Sequence, residues 1–151
     1  RVTQIVDLAK KRTQVVEWMA RACKEHLPGH VEPQWFENPQ MLRYGPGGKY
    51  AMHSDADNFC PEQRRFYRFI DRDFSMLIYL NDDYVGGGLK FNGLNFSYQP
   101  KAGDLLIFPS NHIFSHESTP IESGTKYALV SWGAFKGSPR VAPPRQTITV
   151  H

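Results

Sequence analysis

Between residues 40 and 135 this chain is a succession of short segments rich in Tyr, Phe, Leu, Ile and Val, each closed by turn residues. That punctuation is the pattern of strands. Strands are predicted over 40–44, 50–57, 74–81, 89–92, 94–99, 104–108, 113–118 and 126–135. Asn92-Gly93, residues 100–103 and Ser123-Gly124 supply the turns. Eight such strands make the fold mainly β, a jelly roll or barrel. Ahead of them, Ile5, Leu8, Ala9, Val15, Val16, Met19, Ala22 and Cys23 recur near helical spacing. This predicts helix over 3–27, interrupted near 11–13, with Thr13 capping its second part and Pro28-Gly29 stopping it. Its apolar face reads as a packing surface for a sheet. Pro139, Pro143 and Pro144 make the tail an extended segment. The expected organisation is one domain, with helical support at 3–27, a core at 40–135 and a tail at 137–151.

Composition narrows the function classes. No run approaches the ~20 apolar residues of a membrane-spanning helix, so no membrane partner is expected. A net charge of +3 without a basic stripe gives no reason to expect nucleic acid. Cys23 and Cys60 form no disulfide framework and read as free thiols of a reducing compartment, so a cytoplasmic location is expected. The chain begins at Arg1 rather than Met, and a leader peptide can be neither read nor dismissed from its first residues. Oligomeric state is not written in the sequence.

The chemistry is concentrated in YGPGGKYAMHSDAD, residues 44–57. A Gly/Pro turn at 45–48 feeds a strand in which His53 and Asp55, two residues apart, would project from one face. An imidazole and a carboxylate are two-thirds of the two-His, one-carboxylate site with open positions that non-heme Fe(II) oxygenases use. His112 and His116 are both candidates for the missing ligand. His112 follows Pro109-Ser110-Asn111 and fits a turn, whereas His116 precedes Lys126 by ten residues. Asp57 shares the parity of Asp55 but borders a polar loop. Gly86-Gly87-Gly88 lacks the Lys-Ser/Thr signature of a phosphate loop and reads as a turn or bulge.

The segments LRYGPGGKYAMHSD, FSMLIYLND, GGGLKF, KAGDLLIFPS and SHESTPIESGTKYALVSW, in that order, resemble the prolyl 4-hydroxylase group of Fe(II) and 2-oxoglutarate-dependent dioxygenases over about residues 40 to 135. The resemblance implies a double-stranded β-helix, a jelly roll, behind N-terminal packing helices, with His53, Asp55 and His116 as iron ligands. It implies that Lys126 pairs with the distal carboxylate of 2-oxoglutarate, that the hydroxyl of Tyr79 assists, and that Tyr44 lines the same pocket. The implied cofactors are Fe(II), 2-oxoglutarate and O2, with ascorbate as an expected reductant. The implied reaction hydroxylates a prolyl residue of a protein or peptide partner, yielding succinate and CO2. Because halogenase relatives lack the carboxylate ligand, Asp55 implies hydroxylation.

Two alternatives stay open on the sequence: hydroxylation of a free amino acid or other small molecule, and a non-catalytic β-barrel that keeps a metal. Residues 58–73 follow the ligand strand as a long loop mixing Tyr67, Phe66 and Phe69 with Arg64, Arg65, Arg68 and Arg72. Long loops beside a site are commonly lids. Together with Trp132, the residues Arg64, Arg68 and Tyr67 are expected to clamp a proline-bearing segment.

Overall fold

The computed structural model describes residues 2–151. The strands in chain order begin with β1 (Gln4–Asp7), β2 (Pro33–Glu37), β3 (Gln40–Tyr44), β4 (Tyr50–His53), β5 (Asp57–Cys60), β6 (Arg65–Arg68), β7 (Phe74–Tyr79) and β8 (Val85–Gly86). They continue with β9 (Leu89–Phe91), β10 (Phe96–Tyr98), β11 (Leu105–Pro109), β12 (His116–Ser118), β13 (Ile121–Ser123), β14 (Lys126–Phe135) and β15 (Thr147–Thr149), and helix α1 (Arg12–His26) lies between β1 and β2.

Strand β14 organises the larger sheet. One edge pairs with β3 in its first half and with β2 at its end, and the other edge pairs with β7. β1 extends this sheet beyond β3, β15 beyond β2 and β11 beyond β7. A second sheet runs β10-β9-β12-β4, and β5 with β6 and β8 with β13 form two-stranded ribbons. All these pairs are antiparallel.

The period-two alternation of strands decides what each residue of the central strands does. Lys126, Ala128, Val130 and Trp132 of β14, with Ser75, Leu77 and Tyr79 of β7, line a cavity facing His53 and His116 of the second sheet. Leu129 of β14 and Phe74 and Met76 of β7 face the other way and meet Val15, Val16, Met19 and Cys23 of α1. Strands covered on both faces read as near-continuous apolar runs, which is why FSMLIY and YALVSW show so little alternation. Burying a side chain such as Met19 contributes about 1.5–3 kcal/mol. The mainly β jelly roll with helical support is therefore borne out, and no helix among the described residues is long and apolar enough to cross a membrane.

Several local expectations are corrected. Residues 3–27 are not one interrupted helix: the first part is β1, then a 3-10 turn at Ala9–Lys11, then α1. Ile5 and Val6 are β-branched, and the open edge of β3 offers them pairing that outweighs the loose helical spacing. Thr13 lies inside α1, whose start has no side-chain cap. The strand expected over 50–57 ends at His53, and the one expected over 113–118 is a 3-10 turn, His112–Phe114, followed by β12 from His116. Asn111 forces that division, its side chain accepting from the Ile113 amide at 3.0 Å. The turn at Asn92-Gly93 is longer than two residues, a 3-10 turn closed by Asn95 in the left-handed region at φ 49°.

Residues 58–73 do not form an open loop but the hairpin β5–β6, stabilised by the cross-strand pair Phe59 and Phe66 with rings 5.2 Å apart. Strands β2, β8, β13 and β15 add to the eight expected, and β15 makes part of the tail an ordered sheet strand. The triple glycine ends β8, with a register shift against β13 and positive φ at Gly86 and Gly87, as a turn or bulge requires.

Candidate metal centre

His53 and His116 sit directly opposite each other on β4 and β12, with ring centroids 4.4 Å apart. Each ring is fixed from behind in the same way: Nδ1 lies 2.8 Å from the Ala51 carbonyl in His53 and 2.9 Å from the Phe114 carbonyl in His116. A carbonyl only accepts, so Nδ1 carries the hydrogen and Nε2 of each ring is presented forward. The two Nε2 atoms lie 3.0 and 3.7 Å from one oxygen of Asp55, Oδ1.

Asp55 reaches this point from a bend beyond β4, not from the strand, so the expected same-face geometry is not what places it. The bend is held by several contacts: the Ala56 amide donates to the Ser110 carbonyl at 3.0 Å, the Phe69 amide to the Ala56 carbonyl at 2.9 Å, the Asp57 amide to Ser54 Oγ at 3.2 Å, Ser54 Oγ to the Ser110 carbonyl at 3.4 Å, and Arg72 Nη1 to the Asp55 carbonyl at 3.0 Å. Ser75 Oγ donates to Asp55 Oδ2 at 2.6 Å and lies 2.8 Å from Ser110 Oγ. One carboxylate oxygen is thus anchored by the protein while the other faces both imidazoles. The three donor atoms lie within 4.8 Å of one another, and this is the single such cluster among the described residues.

Burial raises the pKa of Asp55, but a hydrogen bond from His53 and the charges of His116 and His53, all present when the imidazoles are protonated, together with the Ser75 hydroxyl outweigh it and bring it down to about 2. Burial lowers the pKa of His116 by more than the Asp55 charge raises it, favouring neutral imidazole. A fixed carboxylate between oriented imidazoles, with outer hydrogen bonds already made, is a donor set that fits Fe(II).

From this cluster the cavity runs between the sheets to Lys126, which is 2% exposed. Its Nζ donates to the Gly87 carbonyl at 2.8 Å and to Ser118 Oγ at 3.1 Å, and lies 4.9 Å from the Tyr44 ring and 5.4 Å from the Tyr79 ring. No carboxylate pairs with it among the described residues. Burial pushes its pKa down to about 8. A buried ammonium with no counter-ion is costly, and a ligand carboxylate would relieve that cost. Burial, then Tyr44, Tyr84, Tyr98 and Asp104, push the pKa of Tyr79 up, so its hydroxyl stays a donor. Tyr44 and Tyr79 both line the chamber.

Beyond the histidines the chamber opens into a mouth bounded by Glu37, Tyr50, Phe69, Arg72, Trp132 and Pro144. Trp132 lines both spaces, and its buried indole Nε1 has no partner. The other residues expected to touch substrate lie elsewhere: Arg64 is at the hairpin turn with φ 50°, Tyr67 is exposed on β6, and Arg68 pairs with Asp73 at 3.2 Å. None of the three lines the chamber or the mouth. Hairpin pairing turns them away, and Phe69 and Arg72 at its base face the mouth instead. His112 and Asp57 are not ligands but each other's partners, Asp57 Oδ2 accepting from the His112 amide at 2.7 Å and lying 2.9 Å from His112 Nδ1. The His112 ring stacks on Phe66 at 3.9 Å.

Sequence reasoning misses Ser75, Arg72 and Tyr50, whose ring stacks on His53 at 3.8 Å. Ser75 leaves one signal, a hydroxyl at an inward position of an apolar strand. Arg72 leaves none.

Residues 39–133 match the family described as the 2OG-Fe(II) oxygenase superfamily. A protein of Acanthamoeba polyphaga mimivirus, provisionally named a prolyl 4-hydroxylase, is 34% identical over 108 residues, 64% of this chain and 44% of its own length. A PKHD-type hydroxylase of Synechococcus sp. is 25% identical over 134 residues, 87% of this chain and 53% of that protein. The chain therefore spans about half the length of these relatives. Among solved structures, a Pseudomonas putida prolyl-4-hydroxylase superposes with TM-score 0.58 at 25% identity, covering 89% of this chain and 72% of that one. The viral collagen prolyl hydroxylase of Paramecium Bursaria Chlorella virus-1, bound to 2OG, gives TM-score 0.60 at 21% identity, over 89% and 80% of the two chains, and so shares the fold. The matched residues contain the whole cluster and Lys126, and with the match covering well over half its length this chain belongs to the 2OG-Fe(II) oxygenase superfamily.

Proposed function

We propose that this protein hydroxylates a prolyl residue within a protein or peptide, with His53, Asp55 and His116 holding Fe(II) and Lys126 and Tyr79 binding the far carboxylate of 2-oxoglutarate. Bound Fe(II) with 2-oxoglutarate and O2 would supply the oxidising chemistry, the co-substrate leaving as succinate and CO2. The chain's own residues do the rest. Backbone carbonyls orient the imidazoles, and Ser75 leaves one oxygen of Asp55 free. The two sheets exclude water around Lys126, which strengthens its pairing with a carboxylate.

The observation that carries the peptide reading is the state of the charges in the mouth. A free amino acid needs partners for its ammonium and its carboxylate. Of the charged side chains in the mouth outside the metal cluster, Glu37 and Arg72 are spent on each other through a two-point ion pair and Arg145 is a second cation, so no carboxylate is left there to hold an ammonium. The remaining walls, Tyr50, Phe69, Trp132 and Pro144 beside Asn38, Gln40 and Gln146, suit a chain segment presenting an apolar ring flanked by peptide groups. The names of the relatives support the same reading.

The test incubates the protein with Fe(II), 2-oxoglutarate and, separately, proline-containing peptides and free amino acids. Succinate and mass gain of one oxygen are both followed. Peptide hydroxylation that is absent in His53→Ala is expected. Hydroxylation of free amino acids with no peptide product would overturn the proposal.

A further inference from the structure

Arg72 has no role in the chemistry above, yet its side chain is only 16% exposed and touches three separate parts of the site. Its Nε and Nη2 grip both oxygens of Glu37, the latter at 2.8 Å. Nη1 donates to the carbonyl of Asp55 at 3.0 Å, and Cζ of the guanidinium lies over the Trp132 ring, 3.9 Å from its centroid. Glu37 is itself tied to β14, its carbonyl accepting from Ser131 Oγ at 2.7 Å. One planar group therefore joins β2, the bend that carries Asp55 and the strand that carries Trp132.

We infer that Arg72 is a positioning residue that fixes the peptide of Asp55 and the plane of Trp132 in one geometry, coupling the metal centre to the substrate mouth. The inference rests on reading His53, Asp55 and His116 as metal ligands. The physical case has two parts. Asp55 lies outside regular strand pairing, so the direction of its carboxylate depends on the contacts of its bend, and Arg72 supplies the one that reaches its own carbonyl. The indole Nε1 of Trp132 is buried without a partner, so the plane in which the ring is held decides where that donor aims. Only a guanidinium meets both demands: it donates in a fixed fork and stacks by its face, whereas an ammonium in the same place offers a point charge.

A purely structural brace would affect stability alone, so the test reads metal and coupling as well. Arg72→Lys and Glu37→Gln are compared with the wild type in the full chain for three properties. These are affinity for Mn(II), as a redox-inert probe, by calorimetry; the ratio of hydroxylated peptide to succinate; and the thermal midpoint. Arg72→Lys is expected to weaken Mn(II) by about tenfold, the lower end for loss of an outer partner of a metal ligand, and to lower the ratio. Glu37→Gln, which keeps Arg72 but loosens its grip, is expected to move both in the same direction by less. Unchanged Mn(II) affinity and ratio in Arg72→Lys would overturn the inference, whatever the midpoint does. If Arg72→Lys does not fold, Glu37→Gln decides by the same two readings. Failure of the ligand reading looks different: the wild type would bind no Mn(II), or His53→Ala would bind it as well as the wild type does.

Discussion

Ser75 and Lys126 mark the two ends of the chamber, and each makes a sharp expectation at the scale of a single side chain. Removing the Ser75 hydroxyl leaves Asp55 Oδ2, on a buried residue, without its 2.6 Å partner. Ser75→Ala should weaken Fe(II) binding about 10–100-fold while the fold persists, measured by anaerobic titration beside circular dichroism. Lys126→Ala should cost roughly 3–5 kcal/mol of co-substrate binding by stranding a buried carboxylate, more than about a hundredfold in the dissociation constant of 2-oxoglutarate. Lys126 also predicts a pH dependence. Its pKa falls from 10.5 unfolded to about 8 folded, so in this interval the unfolded chain binds more protons and stability of the ligand-free protein rises with pH. Affinity for 2-oxoglutarate moves the opposite way, falling as the ammonium is lost above about pH 8. Denaturant midpoints and co-substrate titrations from about pH 7 to 9, below the range where the raised pKa values of Cys23, Tyr79 and Tyr98 act the other way, should therefore slope in opposite directions. These side chains also mark the limit of sequence reading. His53, His116 and Lys126 are legible because their residue types announce their chemistry and their strands present them at regular spacing. Asp55 is legible on the wrong ground, since a bend rather than a strand delivers it. Ser75 and Arg72 owe their roles to partners 20 and 17 residues away, and no local pattern encodes those contacts.

At the scale of elements, the hairpin β5–β6 is the part of the site whose nature is hardest to read. Its Arg and aromatic residues suggest an irregular lid, but their alternation across the pair from Asp57 to Arg68 makes a ribbon. It is fastened by His112, through Asp57 at the base of one strand and the Phe66 ring further along the other. Replacing residues 64–69 by a short Gly/Ser linker is expected to abolish peptide hydroxylation while 2-oxoglutarate is still consumed without product. His112→Ala should act in the same direction more mildly, raising the KM for peptide and the rate of proteolysis in the hairpin while leaving metal affinity unchanged. Loss of metal in His112→Ala would mean that the wrong histidine has been assigned to the centre. The other misleading element is β1. Its apolar spacing fits helix as well as strand, and the decision lies in the free edge of β3, which a local window does not contain.

At the scale of the whole molecule, β14 holds the architecture together. It pairs along both edges, with β2 and β3 on one side and β7 on the other, and it contributes the last residues of both chamber and mouth. Its ten residues are legible as a unit from the run KYALVSWGAF, because a strand covered on both faces is mostly apolar along its whole length. What the run does not tell is its neighbours, which come from distant parts of the chain. That arrangement has a consequence in time. Contacts between remote segments close slowly, so refolding should occur on the order of milliseconds to seconds, not microseconds, as stopped-flow fluorescence would measure. During synthesis the same order applies more harshly: β2, β3 and β7 leave the ribosome before the strand that joins them exists. In that interval each carries an exposed row of unpaired amides and carbonyls, the surface on which neighbouring chains assemble. A ribosome-bound chain halted before Lys126 should therefore be captured by chaperones or aggregate, and one halted well after Phe135 should not.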